Sequence, residues 1–570
     1  MSTTITATHE RVDAIPAIIA PLKKMPVAAF LDTHFPTKGH WQRVSLGETT
    51  VGWLACILSE GDHRLARVEP WVKAPRRTLR WCLGRKVKPR ALTEDRLATI
   101  LDSLCVAARW GAFERALKQS VRRVYDLPGH VVRVATTTAA ASVTPDGMFQ
   151  LGHSKDHRPD RPQVQIAMAG LEPLGWPLTT TVGAGNTADD PLSLPESAKV
   201  RQSVQRPGLT SVGDWKMAAI GTRAEIVAHQ DASWCPLSAK PRPEAALAPV
   251  LAPVFRGAIE PRAIRVPHAD GVLDETDDPV ALGFAYTVAR SAPDPSGQTC
   301  PWHERRLVVR ALACATSQAK HVRQRVARAV TAINARDERP QGKQRVPDEA
   351  AASQAAAAIL AKQRVEGLVH VTVTTDVHAH AKRRYGRRPA TTVRSERVRV
   401  RAASEETPLA HAVRRRGWRI DATNHPAEEV SLAQGVAAYR SAYLIEPGVG
   451  RLKGRAVSLT PLCLQDAQRV VALIGVLSLA RRVLVLRQCV VRRHLRKAGA
   501  TLTGLSPGQP GRQTAQPTTE MRWSALRGVT LSRIKIDGTL PDHLTPLHAV
   551  PKRLLALMAV PLEIYDGLVT

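Results

Sequence analysis

Two acidic residues carry the candidate chemistry of this chain. Asp214 ends the apolar run Leu209-Thr210-Ser211-Val212-Gly213, and Glu446 stands midway between Tyr439 and Lys453. Cleaving and rejoining phosphodiesters by the two-metal route needs two or three carboxylates converging on divalent ions about 3.5–4 Å apart. Hard cations such as Mg²⁺ prefer such oxygen ligands. Open α/β sheets place their ligands at the C-terminal ends of strands, so Asp214 stands where such a carboxylate belongs. The same residue also reads as a cap for a helix entering at Trp215-Lys216-Met217. Tyr439, Glu446 and Lys453 recur every seven residues, so a helix would gather them on one face with about 20° of drift per step, although any helix contains that spacing. Asp376, His378 and His380 alternate and would share one face of a strand, as residues of any exposed strand do. Eight cysteines without a C-x-x-C pair read as reduced core thiols.

Positioning those acids requires a scaffold, and composition bounds it. At 570 residues the chain exceeds one hydrophobic core, so several domains are expected. Lys and Arg number 81 against 50 Asp and Glu, a net charge of +31 that makes a polyanion the natural partner. A membrane surface would need an anchor, and the apolar run Val470 to Ala480 is halted by Arg481, as in a core helix and unlike a bilayer span. Met1 to Asp13 has charges and threonines where an export signal would be apolar, which points to a cytoplasmic protein.

The hydrophobic period divides the chain. Residues 1–128 read as an N-terminal helical domain: Thr93 caps a helix with Glu94 and Asp95 in its first turn, and Leu97, Ile100, Leu101, Leu104, Cys105 and Ala108 keep helical spacing. Its basic cluster, Arg76, Arg77, Arg80, Arg85, Lys86, Lys88 and Arg90, reads as a solvated surface or a DNA-contacting face. In residues 129–240 the period shortens to β-branched runs at Val131 to Val134, Val164 to Met168, Leu178 to Val182 and Leu209 to Val212, with helices after Pro191 and Asp214, a mixed α/β core. Residues 241–415 read as an insertion with strands near Arg306 to Val309 and Leu368 to Thr374. Residues 416–500 resume the core through the strand Trp418 to Ala422 and a long apolar helix over Gln465 to Leu495. Residues 501–570 form a loop-rich tail.

Several strings then carry a resemblance: Gly152-His153-Ser154-Lys155-Asp156-His157-Arg158-Pro159-Asp160, Val212-Gly213-Asp214-Trp215-Lys216-Met217, Tyr439-Arg440-Ser441-Ala442-Tyr443-Leu444-Ile445-Glu446 and Gly450-Arg451-Leu452-Lys453-Gly454. Together they are similar to bacterial insertion-sequence transposases of the DDE class. The resemblance implies a ribonuclease-H-like mixed-sheet core interrupted by a β-rich insertion, with Asp214 and Glu446 as catalytic metal ligands for Mg²⁺ or Mn²⁺. It also implies Tyr439, Arg440, Arg451, Lys453, Lys155 and Arg158 as contacts to double-stranded DNA, at terminal inverted repeats and target, by a homo-oligomer. The family's first catalytic aspartate belongs at the end of the first core strand, where this chain reads Val131-Val132-Arg133-Val134-Ala135. Pro447 stands where an arginine is usual, and Ala442 occupies the motif arginine's place. A methyl at residue 135 holds no cation. The expectation is therefore a transposase with impaired strand cleavage or, alternatively, a DNA-binding protein derived from one.

Overall fold

A computed structural model describes residues 5–37, 39–41, 43–127, 130–188, 190–204, 207–237, 243–266, 276–337, 348–383, 386, 391–440, 446–454, 456–536 and 542–569. The chain is a mixed α/β protein. It opens with strand β1 (Ile5–Arg11), followed by helices α1 (Ile15–Lys24), α2 (Val27–His34), α3 (Leu46–Glu60), α4 (Val68–Val72), α5 (Arg76–Leu83), α6 (Glu94–Leu104) and α7 (Ala107–Tyr125). α3 starts on a capping box in which Ser45 accepts from the Glu48 N–H while the Glu48 carboxylate accepts from the Ser45 N–H. Thr93 caps α6 as its sequence anticipates.

The period change near residue 130 marks a sheet. β2 (Val131–Ala140) runs well past Val134, because Thr136, Thr137 and Thr138 are β-branched and extend the strand. β3 (Gln163–Leu171) and β4 (Trp176–Ala184) follow antiparallel. After α8 (Asp190–Val204) come β5 (Thr210–Val212), α9 (Ile220–Ala228) and β6 (Ala232–Pro236); β5 is parallel to both β2 and β6. These five strands therefore lie in the order third, second, first, fourth, fifth.

The next stretch does not stand apart from this sheet as a separate insertion would. Beyond α10 (Pro243–Phe255), strands β7 (Arg262–Ile264), β8 (Ala281–Pro293) and β9 (Thr299–Ala311) extend it. A small satellite body then branches off, made of α11 (Leu312–Asn334), α12 (Glu349–Gln363), the paired strands β10 (Val369–Lys382) and β11 (Thr391–Ser404), and α13 (Glu406–Arg414). Its own core joins Val326, Ala329 and Ile333 to Ala352, Ala356, Val369 and Val400. The chain returns through β12 (Trp418–Thr423), which inserts between β6 and β9 and completes the order β4-β3-β2-β5-β6-β12-β9-β8-β7.

α14 (Leu432–Arg440) and α15 (Glu446–Lys453) lead into α16 (Ala467–Lys497), a 31-residue helix capped by Asp466. α16 packs on β4, α6, α3 and α15, burying most of its length and with it Arg481, Arg482 and Arg487. Among the described residues, no helix is long and apolar enough to cross a membrane. The last segment is more than a tail. α17 (Thr519–Ser524), β13 (Thr530–Ile536), β14 (His543–Leu544), α18 (Ala549–Leu557) and α19 (Glu563–Asp566) fold back on the first residues. β13 pairs antiparallel with β1 over its full length, and the Tyr565 hydroxyl donates to the Asp13 carbonyl at 2.9 Å.

Candidate functional site

The register between β2 and β5 sets the site. Val131, Val132 and Arg133 pair with Thr210, Ser211 and Val212. The pairing stops there: Ala135 lies two residues after Arg133 within β2, and Asp214 lies two residues after Val212, just past the end of β5. Val212 pairs with Trp234 and Asp421 with Pro236, so Asp421 on β12 lies across β6 two residues on from the rung of Val212. Asp214 is exposed at this edge, and the Met217 N–H donates to its carbonyl at 3.1 Å, so the residue both ends β5 and opens the following turn.

Sequence reading had no signal for Asp421, an acid buried to 1% exposure. Burial pushes its carboxyl pKa up, and Arg419, 3.0 Å away, works against that. The Arg419 guanidinium in turn lies 3.9 Å over the Tyr439 ring. Tyr439 is thus half-buried against a cation in this structure. α14 approaches this face because Gly435 has no side chain: a Cβ there would fall 1.9 Å from the Trp234 ring. Buried Arg133 of β2 holds the end of the same helix, donating to the Ala438 carbonyl at 2.6 Å while pairing with Glu172 at 2.6 Å.

The loop string that begins at Gly152 folds over the far half of β2. Gly152 is required by crowding, since a Cβ would sit 2.5 Å from the Gly185 carbonyl oxygen. The Lys155 N–H donates to Thr138 Oγ1 at 2.9 Å, and Lys155 Nζ donates to Thr136 O at 2.8 Å and Thr136 Oγ1 at 2.7 Å. That places an ammonium one residue from Ala135. Asp156 accepts from the Ala140 N–H at 3.1 Å and pairs with Lys453 of α15. Just beyond α15, the Ser142 N–H donates to the Leu462 carbonyl at 2.8 Å. α15 is therefore tied through Asp156 to the C-terminal end of β2, five residues beyond Ala135, and the segment after it is tied there again through Leu462.

The other sequence-singled residues fall as follows. Arg158 pairs with Asp160 at 2.7 Å on the surface. Arg451 turns inward, to Glu520 at 2.8 Å and Gln488 at 2.5 Å. Glu446 begins α15, so Pro447 occupies the first helical turn, where its missing N–H costs no intrahelical bond. The Glu446 and Arg440 side chains and residues 441–445 lie outside the described residues. Asp376 pairs with Arg399 on β11, leaving His378 and His380 on an exposed strand.

Among the described residues, no group of three or more His, Cys, Asp or Glu stands ready to hold a metal. A two-metal site needs an acid beside Asp214 on the neighbouring strand, and there the donor set offers the methyl of Ala135. The described residues do not complete such a site.

No family model matches the chain, and no curated protein is similar to it. Among solved structures, a piggyBac transposase synaptic complex with hairpin DNA, determined by cryo-EM, is similar at 10% identity and a TM-score of 0.24. The likeness covers 52% of this chain and 62% of that one.

Proposed function

We propose that the chain is a DNA-binding protein of the DDE transposase class whose strand-cleaving centre, beside the middle of β2 and the C-terminal end of β5, is disabled by Ala135. The single observation that carries this is the parallel pairing of β2 with β5, from whose last rung, Arg133 with Val212, Ala135 and Asp214 each lie two residues on. On this reading the two neighbouring parallel strands supply the two positions at which the class keeps its first two acids, one filled by Asp214 and one left empty by Ala135. The order of β2 to β6 agrees with a ribonuclease-H-like core, and the tether of α15 to the end of β2 agrees with Glu446 serving as the third acid. Duplex DNA, at element ends and target, is the partner this reading assigns, held by a homo-oligomer. Mg²⁺ or Mn²⁺ is the cofactor assigned to a site in which residue 135 is acidic. The second reading, DNA binding without chemistry, is favoured by the same methyl.

The test is to restore the acid. Losing one bridging carboxylate from a two-metal centre removes roughly 10³–10⁴ in rate. Ala135→Asp is expected to raise Mg²⁺- or Mn²⁺-dependent cleavage of the element's terminal-repeat DNA by about that factor over a near-zero baseline. Unaltered DNA affinity with no gain in cleavage leaves the binding-only reading standing and removes the catalytic one.

A further inference from the structure

The ribbon formed by β10 and β11 is the most exposed regular element of the satellite body, and its two faces differ. Fourteen residue pairs join the strands, from Val369 with Ser404 to Lys382 with Thr391, a length of about 46 Å. Because side chains alternate, Val369, Val371 and Val373 share one face with Val398, Val400 and Ala402. That face packs on Val326, Ala329 and Ile333 of α11 and on α12. The opposite face carries His370, His378, His380 and Lys382 across from Arg397, Arg399 and Arg401. From Val377 to Lys382 every β10 residue is exposed, Val377 at 58%, so this end of the ribbon projects beyond the helices that support its base.

The cations divide along the ribbon. Midway along, Asp376 pairs with Arg399 and stands across from Arg397 in the register, and nearer the base Arg401 lies 3.6 Å from Asp337. From this rung outward, Arg397 and Lys382 on the one face and Arg394 on the other are exposed and form no salt bridge among the described residues. A two-stranded ribbon that buries neither face is marginal in water on its own, so an exposed, cationic one is better accounted for by a surface it docks on. The major groove of B-form DNA, about 12 Å wide and 8.5 Å deep, admits a two-stranded ribbon and is walled by phosphates. We infer that the far half of the β10–β11 ribbon enters the major groove of duplex DNA, with Lys382, Arg394 and Arg397 as its phosphate contacts. This rests on the DNA-binding reading above and locates one of the surfaces that binding uses.

The experiment measures the affinity of the full chain for a random-sequence DNA duplex by fluorescence anisotropy across a series of salt concentrations. Each phosphate contact contributes about 0.9 to the slope of log affinity against log salt. The triple variant Lys382→Gln, Arg394→Gln, Arg397→Gln is expected to flatten that slope by about 2–3 and to weaken low-salt binding by at least roughly tenfold. The control, Lys320→Gln, Arg323→Gln, Arg328→Gln, removes the same charge from exposed positions of α11 and is expected to change the slope by less than about 1. Equal effects from the two triples would mean that only net charge matters and would overturn the inference. Duplex RNA supplies a second arm, because its deep, narrow major groove excludes a ribbon. The unaltered chain is expected to prefer DNA and the ribbon variant to lose that preference; equal binding of DNA and RNA by the unaltered chain would also overturn groove insertion. Absence of duplex DNA binding by the unaltered chain is a different result, which removes the proposed function itself and this inference with it.

Discussion

The end of β2 and the far half of the β10–β11 ribbon are both rich in basic residues, yet they use them in opposite ways. At the end of β2 the cations are tied inward: Lys155 to Thr136, Lys453 to Asp156, Arg451 to Glu520. On the ribbon, Lys382, Arg394 and Arg397 face solvent. The first arrangement fixes a loop against β2 next to Ala135 and a helix against that loop, while the second leaves charge available for a polyanion. A net charge of +31 therefore makes a polyanion the natural partner without saying where it would bind, and the inward pairs show that part of the charge is structural.

The contrast is tested most sharply at Ala135 and Asp214. If Ala135 and Asp214 belong to one site, residues acting as a unit are strongly non-additive. Asp214→Ala placed on Ala135→Asp is expected to erase the whole gain of roughly 10³ or more in cleavage while leaving duplex affinity within about twofold. Retained cleavage in the double variant would detach Asp214 from the chemistry.

Buried cations sharpen the contrast from the other side. Glu114 of α7 accepts from Lys118 at 3.1 Å and pairs with Arg482 at 2.5 Å, and both cations are about 1% exposed. Breaking a buried pair leaves a charge without compensation, which costs about 3–5 kcal/mol. Glu114→Ala is expected to lower unfolding stability by that amount in chemical denaturation without changing the salt slope of DNA binding. A loss under about 1 kcal/mol would show these charges to be better solvated than their burial indicates.

Gly435→Ala tests the packing that seats Tyr439. Alanine is the better helix former by about 1 kcal/mol, but its Cβ would collide with the ring of Trp234, which is 2% exposed. Overpacking of this kind costs about 1–3 kcal/mol, so a net loss in thermal stability is expected. A more stable variant would mean that α14 moves away without penalty.

The sequence made the secondary structure around the site readable because its signals there are local. The β-branched runs at Val131, Val164 and Leu178, the cap at Thr93 and the apolar stripe of α16 all appear as elements. Long-range pairing was not readable. Nothing in Ile5–Arg11 announces β13, more than 500 residues away, and nothing around Arg262 or Ala281 shows that β7 and β8 extend the main sheet. At the site, Asp214 stood out by its position after an apolar run. Arg133, Asp421 and Arg419 did not, since they act through contacts made only when β2, β12 and α14 come together.

The smallest expected effect concerns the basic cluster at Arg76 to Arg90, which the sequence left open between a solvated surface and a DNA-contacting face. Arg77 bonds Asp542, and Arg533 reaches the same carboxylate at 2.7 Å, so one of the cluster's cations joins α5 to β13. The hydrogen bond from Arg77, then that from Arg533, holds the Asp542 pKa well below the usual carboxylate range. A carboxyl with a depressed folded pKa stabilises the protein above its unfolded value, about 3.9, and that contribution is lost as pH falls through the folded value. Both arginines are more than 40% exposed, so solvent screening keeps the effect to about 1 kcal/mol or less. Asp542→Asn is therefore expected to be slightly less stable than the unaltered chain near neutrality, with the gap closing as pH falls below about 4. DNA affinity should change little, because the substitution releases Arg77 and Arg533 without removing a cation. A stability gap that persists unchanged at low pH would mean that Asp542 matters through its shape and not its charge, and Arg77 would return to the pool of cations available to DNA.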